Sequence, residues 1–179
     1  MVEDKVSITK SNQKFSLGDI IFTTIFTIAF LIQIVMMFLF YNELGMIFLA
    51  YIGWIVWVFC LYFGFITFKT FKKRGEVEKG KSYIHTTKVV KGGPYAIVRH
   101  PQYLGGILFT ISITLLTQVW LSLVLSIIII ILTYQWTYSE DKNLIEKFGE
   151  DYKRYKEKVP RLNPILGVVK YFSHKKKNH

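Results

Sequence analysis

The distribution of basic residues constrains this chain more than any other feature. All 23 lysines and arginines fall in three blocks, at residues 5–14, 69–99 and 142–177. The two stretches between these blocks contain no lysine or arginine and are strongly apolar. Basic segments that alternate with long apolar stretches are typical of a protein that crosses a membrane several times. The sequence therefore predicts an all-α integral membrane protein, with residues 1–179 forming a single domain.

The apolar stretches predict four transmembrane helices arranged as two hairpins. Residues 20–40 and 46–68 are each long enough to cross a hydrocarbon core of about 30 Å at about 1.5 Å per residue. The second stretch, 37 residues from 102 to 138, would form a single helix of about 55 Å and overshoot the bilayer. A polar interruption at Thr117 and Gln118 divides it into spans at residues 102–117 and 119–138.

The loops predict the orientation of these spans. The amino terminus, residues 69–99 and the tail are basic, whereas the turns at 41–45 and 117–120 contain no lysine or arginine. The positive-inside rule then places both termini and the functional face in the cytosol. The net charge of +11 fits this orientation and an attraction to anionic membrane lipids. Nothing else suggests the folded basic surface that a nucleic-acid partner would need, and residues 1–16 lack the pattern of a signal peptide.

Beyond Tyr138 the pattern changes to that of an amphipathic helix. Leu144, Phe148, Tyr152 and Tyr155 recur every three or four residues among charged ones. We expect this carboxy-terminal helix to lie at the membrane interface and to end at the prolines that follow, with residues 165–172 also able to lie in the interface.

Several kinds of chemistry find no support in the sequence. Cys60 is the one cysteine, so no disulfide can form within the chain. The four histidines show no ligand spacing with cysteines or acids, and we expect no metal. There is no strand, GxGxxG turn and helix unit for a nucleotide. No acidic or basic residue lies well inside a span, which counts against a coupled transporter.

One short segment, KVVKGGPYAIVRHPQYLGG at residues 88–106, carries the candidate polar site. Pro101 fits the first turn of a helix, because its fixed φ suits a helix start. Arg99 and His100 would then lie at the mouth of a membrane helix, near free backbone N–H groups. The alternative is that Arg99 only extends to lipid headgroups while Tyr95 and Tyr103 form part of an aromatic belt.

A second candidate is the acidic pair Glu140 and Asp141. Neither residue has a lysine or arginine three or four positions away, where a helix would normally place its ionic partner. Their charge must be compensated from a distance, by Arg99, by Arg161 or by a ligand.

These two segments carry a family resemblance. GGPYAIVRHPQYLGG resembles the motif G-x-Y-x-x-x-R-H-P-x-Y-x-G of the isoprenylcysteine carboxyl methyltransferases and the related phospholipid N-methyltransferases. SEDKNLIEKFGEDYKRYKEKVPRLNP resembles the second motif of that family, an acidic pair, then L-x-x-x-F-G-x-x-Y-x-x-Y, then an arginine before a proline. The resemblance implies a membrane methyltransferase that uses S-adenosylmethionine, held by residues 88–106 and 138–164. The acceptor, a lipid or a lipidated cysteine, would enter from the bilayer.

The resemblance also implies roles for individual residues. Arg99 and Glu140 would be catalytic, and Arg99 and Arg161 would bind the acceptor. The implied cofactor-binding residues are Tyr95, His100, Pro101, Tyr103, Glu140 and Asp141. The chain departs from the family pattern at Asp141, where a second glutamate is usual.

We expect carboxyl O-methylation of a prenylcysteine-like acceptor. N- or S-methylation of a phospholipid or another small lipophile stays open. So do a noncatalytic scaffold that binds anionic lipids and, more remotely, a small transporter.

Overall fold

The computed structural model describes residues 17–74 and 88–177. Two segments that enter the orientation argument, residues 1–16 and the loop residues 75–87, lie outside the described residues. The described residues form helices and no strand, and a short 3-10 turn at Gly93–Ala96 precedes the third helix. The helices are α1 (Leu17–Leu39), α2 (Ile47–Arg74), α3 (Pro101–Thr117), α4 (Trp120–Phe148), α5 (Glu150–Lys158) and α6 (Pro164–Lys177).

Three of the described helices are long and apolar enough to cross a membrane, namely α1, α2 and α4. This confirms the all-α membrane class. The fourth predicted span, α3, is apolar but has 17 residues, so its length of about 26 Å falls short of a core of about 30 Å. A count of four spans stays a prediction.

The helix ends differ from the predicted boundaries in one important place. The sequence placed a helix end near Tyr138, where the apolar residues stop, but α4 continues without a break to Phe148. The predicted amphipathic helix is instead divided at Gly149, which has a φ of +56°. A change from apolar to charged residues does not interrupt a helix, whereas a glycine in this conformation does.

The predicted pairing of α1 with α2 as a hairpin is wrong, because α1 packs on α3 and α4 while α2 packs on α3. The turns that follow α1 and α3 bind each other at one end of the bundle. The Gln118 side chain accepts from the Met46 N–H at 3.2 Å and donates to the Met46 carbonyl at 2.9 Å. The Asn42 N–H donates to the Leu116 carbonyl at 2.8 Å. These hydrogen bonds therefore fix the turn between α1 and α2 to the turn between α3 and α4.

A buried polar cluster joins α1 to α3 and α4. Gln33 on α1 donates to the Ser126 hydroxyl at 2.8 Å and to the Ser122 carbonyl at 3.0 Å. Thr110 on α3 donates to the Gln33 side-chain oxygen at 2.5 Å. Because hydrocarbon offers no competing partners, hydrogen bonds of this kind hold helices together in a membrane. They fix the position of α4 along the bundle.

The helices α2 and α3 approach closely through glycines. A Cβ added at Gly53 would lie 3.0 Å from Leu116 Cγ, and one added at Gly105 would lie 3.7 Å from the Cys60 carbonyl oxygen. Small residues allow such close packing in membranes. It sets the position of the amino-terminal end of α3, where Arg99 and His100 lie.

Candidate active site

The candidate site is built around the carboxylate of Asp141, which is 2% exposed near the end of α4. Its Oδ1 accepts hydrogen bonds from His100 Nε2 at 2.9 Å and from the Tyr152 hydroxyl at 2.6 Å. Its Oδ2 accepts from Arg161 Nε at 3.0 Å and Nη2 at 2.9 Å. Arg99 Nη1 lies 3.0 Å from the same oxygen. We call these five residues the Asp141 cluster.

Backbone hydrogen bonds bring the two sequence motifs together. The Arg99 N–H donates to the Pro160 carbonyl at 2.9 Å, and the His100 N–H donates to the Arg161 carbonyl at 3.2 Å. Pro101 begins α3 directly afterwards, so Arg99 and His100 lie just before the first turn of that helix. Residues far apart in the chain thus share one site.

Two tyrosines of α5 also bind the site, Tyr155 at the Tyr95 carbonyl and Tyr152 at Asp141. Tyr155 donates from its hydroxyl to the Tyr95 carbonyl at 2.6 Å, and Tyr152 packs with Tyr155 and Val159 in one buried cluster. Burial and the hydrogen bond to Asp141 raise the pKa of Tyr152 well above its usual range. Its hydroxyl therefore remains a proton donor to Asp141.

The electrostatic balance of the cluster leaves an excess of positive charge. Burial alone raises the pKa of Asp141, but hydrogen bonds from His100 and Tyr152, together with the nearby Arg99 guanidinium, hold that pKa well below its usual range. Asp141 is therefore ionised at neutral pH. One carboxylate faces two guanidinium groups, those of Arg99 and Arg161, so the site can accept a further anion.

Arg99 retains unused hydrogen-bonding capacity. It is 8% exposed, yet its Nε and Nη1 atoms make no hydrogen bond with the described residues. Nη1 is close to Asp141 without the alignment that a hydrogen bond requires. A buried guanidinium donor without an acceptor is costly, and burial within the protein argues against an Arg99 that extends to lipid headgroups.

Glu140 behaves differently from its neighbour. It is half-buried and makes no hydrogen bond or ion pair with any residue that the structure describes. Burial and, after it, the charge of Glu140 raise the pKa of Tyr95. Glu140 thus presents a carboxylate near Tyr95 and Tyr103 that no described side chain neutralises.

The other predicted residues take supporting positions. Tyr103 packs its ring edge-on against His100, with ring centroids 5.7 Å apart. The Arg161 guanidinium carbon lies 3.5 Å above the centre of the Tyr138 ring, which adds a cation–π contact to its bonds with Asp141. Sequence reasoning missed Tyr138 and Tyr152 as site residues. The position of Tyr152 in the second motif could have marked it as a site residue. The same position also fits the apolar face of an amphipathic helix, and it was interpreted in that way.

A cavity of about 40 Å³ lies beside Arg99. Tyr95, Leu144, Tyr152 and Tyr155 are among its lining residues. This volume suits a small group such as a carboxylate and is far below the several hundred Å³ of a typical cofactor pocket. Among the described residues no group of histidine, cysteine and acidic side chains could hold a metal ion, and the use of no metal stays a prediction.

Fold and site together define an integral membrane protein with a charged, hydrogen-bonded site at one end of its helices. The chain belongs to the phospholipid methyltransferase family, whose model matches residues 48–151, more than half of the chain. The matched range includes Arg99, His100, Glu140 and Asp141 but ends before Tyr152 and Arg161. The family resemblance noted from the sequence is confirmed.

Curated relatives carry the name protein-S-isoprenylcysteine O-methyltransferase. Those of Mus musculus and Homo sapiens are each 36% identical over 100 residues, which is 52% of this chain and 33% of theirs. That of Schizosaccharomyces pombe is 29% identical over 99 residues, 50% of this chain and 42% of its own. The matches thus span well under half the length of these relatives. No solved structure matches the chain.

Proposed function

We propose that the protein is an S-adenosylmethionine-dependent membrane methyltransferase that esterifies the carboxylate of a lipophilic, prenylcysteine-like acceptor. The observation that carries this proposal is the buried Arg99 guanidinium, whose Nε makes no hydrogen bond with the described residues and whose Nη1 meets Asp141 only as an ion pair. A carboxylate matches both the geometry and the charge of such a group. The names of the relatives support the same acceptor class.

The donor and acceptor groups present suit the polar end of the cofactor, whose bulk would lie outside the cavity of about 40 Å³ beside Arg99. When bound, S-adenosylmethionine supplies a methyl group on a positively charged sulfur. Glu140, half-buried and without a described partner, can accept hydrogen bonds from the cofactor's ammonium or ribose hydroxyls. Tyr95 and Tyr103 lie close enough to Glu140 to feel its charge, and we assign them, together with His100 and Pro101, to the cofactor's polar end.

Asp141 is better assigned to holding the side chains of His100, Tyr152 and Arg161 in place. Donors from His100, Tyr152 and Arg161 occupy both of its oxygens, which leaves little capacity for a cofactor. A direct Asp141–cofactor contact stays a prediction. The same holds for Arg161 as an acceptor-binding residue, since Asp141 and the Tyr138 ring already engage its guanidinium.

Alignment is the main task of the protein in this reaction. A carboxylate is already a nucleophile, so the site needs no general base. Arg99 would hold the acceptor carboxylate in one orientation, and exclusion of water and fixed geometry can supply effective molarities of about 10⁵ to 10⁸ M. Arg99 and Glu140 are thus the two catalytic assignments.

The acceptor can approach the site from the bilayer. Tyr134 and Tyr138 lie exposed on α4, directly beside the stacked Arg161. An acyl or prenyl chain lying along this aromatic surface would bring its polar end to the Asp141 cluster. With the orientation given by the positive-inside rule, the site and both termini face the cytosol.

A second candidate is N-methylation of a phospholipid amine. The observation that favours it is Glu140 itself, since a half-buried carboxylate without a described partner could hold an ammonium group and take up its proton. This reading fits the family name equally well.

The test is methyl transfer by purified protein in detergent from radiolabelled S-adenosylmethionine. We expect label on an S-farnesylated N-acetylcysteine, released by mild base as a methyl ester is, and none on its carboxamide analogue. Label on phosphatidylethanolamine instead would establish the second candidate. If calorimetry detects no binding of S-adenosylmethionine, a noncatalytic scaffold becomes the better description.

A further inference from the structure

A basic groove of about 680 Å³ lies apart from the Asp141 cluster, between the segment that precedes α3 and the helices α5 and α6. Five basic side chains and one acidic one line it, together with buried Tyr155 and Val159. The charged lining residues are Lys91, Asp151, Arg154, Lys158, Lys170 and Lys175. We call this the α5–α6 groove.

One face of α5 forms the wall of the groove. Asp151, Arg154, Tyr155 and Lys158 recur at three- and four-residue intervals, which places them on the same side of the helix. Asp151 is paired with Lys91 across the groove. Arg154 and Lys158 form no ion pair with the described residues, although Arg154 acts on Glu150 at longer range, so both guanidinium and ammonium groups can meet a ligand. The wall is therefore positively charged even after its internal pair is counted.

The helix α6 places this groove at a membrane surface. Gly167 packs so closely on Ile97 that an added Cβ would lie 2.0 Å from the Ile97 carbonyl oxygen. The opposite side of α6 is an exposed apolar stripe, from Ile165, 78% exposed, through Val168 and Val169 to Phe172, 62% exposed. Such a stripe beside basic residues is the pattern of a helix lying in the interface. A helix in that position would hold the neighbouring groove at headgroup depth.

We propose that the α5–α6 groove binds the phosphate headgroup of an anionic phospholipid. Its charge complements a phosphodiester, and its depth matches the headgroup layer. The lipid is a bound partner and not the methyl acceptor, because no residue that lines the groove belongs to the Asp141 cluster, although the groove and the cavity at Arg99 share Tyr155. The proposal goes beyond methyl transfer and does not depend on it.

The test measures lipid binding directly, without any methyl-transfer readout. Native mass spectrometry of the delipidated protein, titrated with phosphatidylglycerol or with phosphatidylcholine, gives an apparent dissociation constant for each lipid. We expect tighter binding of phosphatidylglycerol. Replacing Arg154→Gln together with Lys158→Gln should weaken it about thirtyfold, at about fivefold per charge removed near a membrane surface.

The matched control lies on the same helix. Lys153→Gln with Lys156→Gln removes the same charge from the opposite face of α5, outside the groove, and should change the affinity far less. Asp151→Asn should instead tighten binding, because it removes the acid and releases Lys91. Equal losses in both double variants, no preference for phosphatidylglycerol, or weaker binding by Asp151→Asn would each overturn the proposal. So would displacement of the lipid by equimolar inorganic phosphate, since the site would then bind free phosphate.

Discussion

Replacing Asp141→Asn tests the central claim that one carboxylate organises the site. The substitution keeps the shape of the side chain but removes the charge that faces Arg99 and Arg161. It also places an N–H donor where the carboxylate accepted from His100 and Tyr152, or from the arginines. Breaking a buried ion pair by neutralising one partner usually costs about 3–5 kcal/mol, because the other charge remains buried and uncompensated. We expect a loss of that size in the free energy of unfolding.

The chain offers a matched control for this change. Asp151→Asn makes the same chemical substitution at an exposed carboxylate that pairs with Lys91, where a loss below about 1 kcal/mol is typical. Both variants can be unfolded in mixed detergent micelles and followed by tryptophan fluorescence. If Asp141→Asn lowers the free energy of unfolding no more than Asp151→Asn does, the ion pairs of the Asp141 cluster do not stabilise the fold.

The free energy of unfolding should also depend on pH through the ionisation of Asp141. The pKa of Asp141 is lower in the folded protein than its unfolded value of about 4, so its ionisation stabilises the fold fully above about pH 4. That contribution is lost as the pH falls further toward the folded-state pKa. The difference in stability between wild type and Asp141→Asn should be constant at neutral and mildly acidic pH and shrink below about pH 4. A difference that already declines between neutral and mildly acidic pH would show that another group is titrating.

Three further predictions concern ligands and orientation. Glu140→Gln should leave the protein folded and membrane-inserted but weaken S-adenosylmethionine binding about tenfold to a hundredfold, since a charge-assisted hydrogen bond is worth about 1.5–3 kcal/mol; an unchanged dissociation constant in calorimetry would remove Glu140 from the site. Arg99→Lys should lower kcat more than it lowers cofactor affinity, because an ammonium cannot hold a carboxylate in a fixed two-point orientation; wild-type turnover in steady-state kinetics would contradict that role. A cysteine at Glu43 should react with an impermeant maleimide on intact cells, and one at Lys156 only after permeabilisation; equal labelling of both from outside would refute the orientation.

The membrane class could be predicted because it depends on composition over long stretches. A long stretch without lysine or arginine is recognisable whatever its exact sequence. In the hydrocarbon core such a stretch has to form a helix, because its backbone groups find no water to bind. The packing partner of α1 could not be predicted in this way, since α1 packs on α3 and α4 and not on its neighbour in the chain, α2. The end of α4 could not be predicted in the same way. Hydropathy changes at Tyr138, and the predicted span ended there. The helix itself continues into water until Gly149, whose conformation ends it.

The acidic pair shows a different limit. The absence of local cations correctly pointed to distant partners, and the structure places Arg99 and Arg161 at Asp141. Which of the two acids faces them was not predictable, because adjacent residues project about 100° apart around a helix. The rotation of α4 decides it, and that rotation is set by packing with other helices. Tyr152 was missed for the same reason, since a tyrosine on an apolar face gives no sign of its hydroxyl's partner.

Because α4 is unbroken, its tilt in the bilayer determines where Asp141 lies. From Ser126, held by Gln33, to Asp141 the helix rises about 22 Å at about 1.5 Å per residue. A tilt of about 5° around that fixed point would move Asp141 by about 2 Å. Hydrogen bonds near 2.9 Å do not survive such a displacement. The site therefore tolerates little tilt of α4 about its contact with Gln33, and the packing of α4 on α1 and α3 has to hold that tilt nearly constant when bilayer thickness changes.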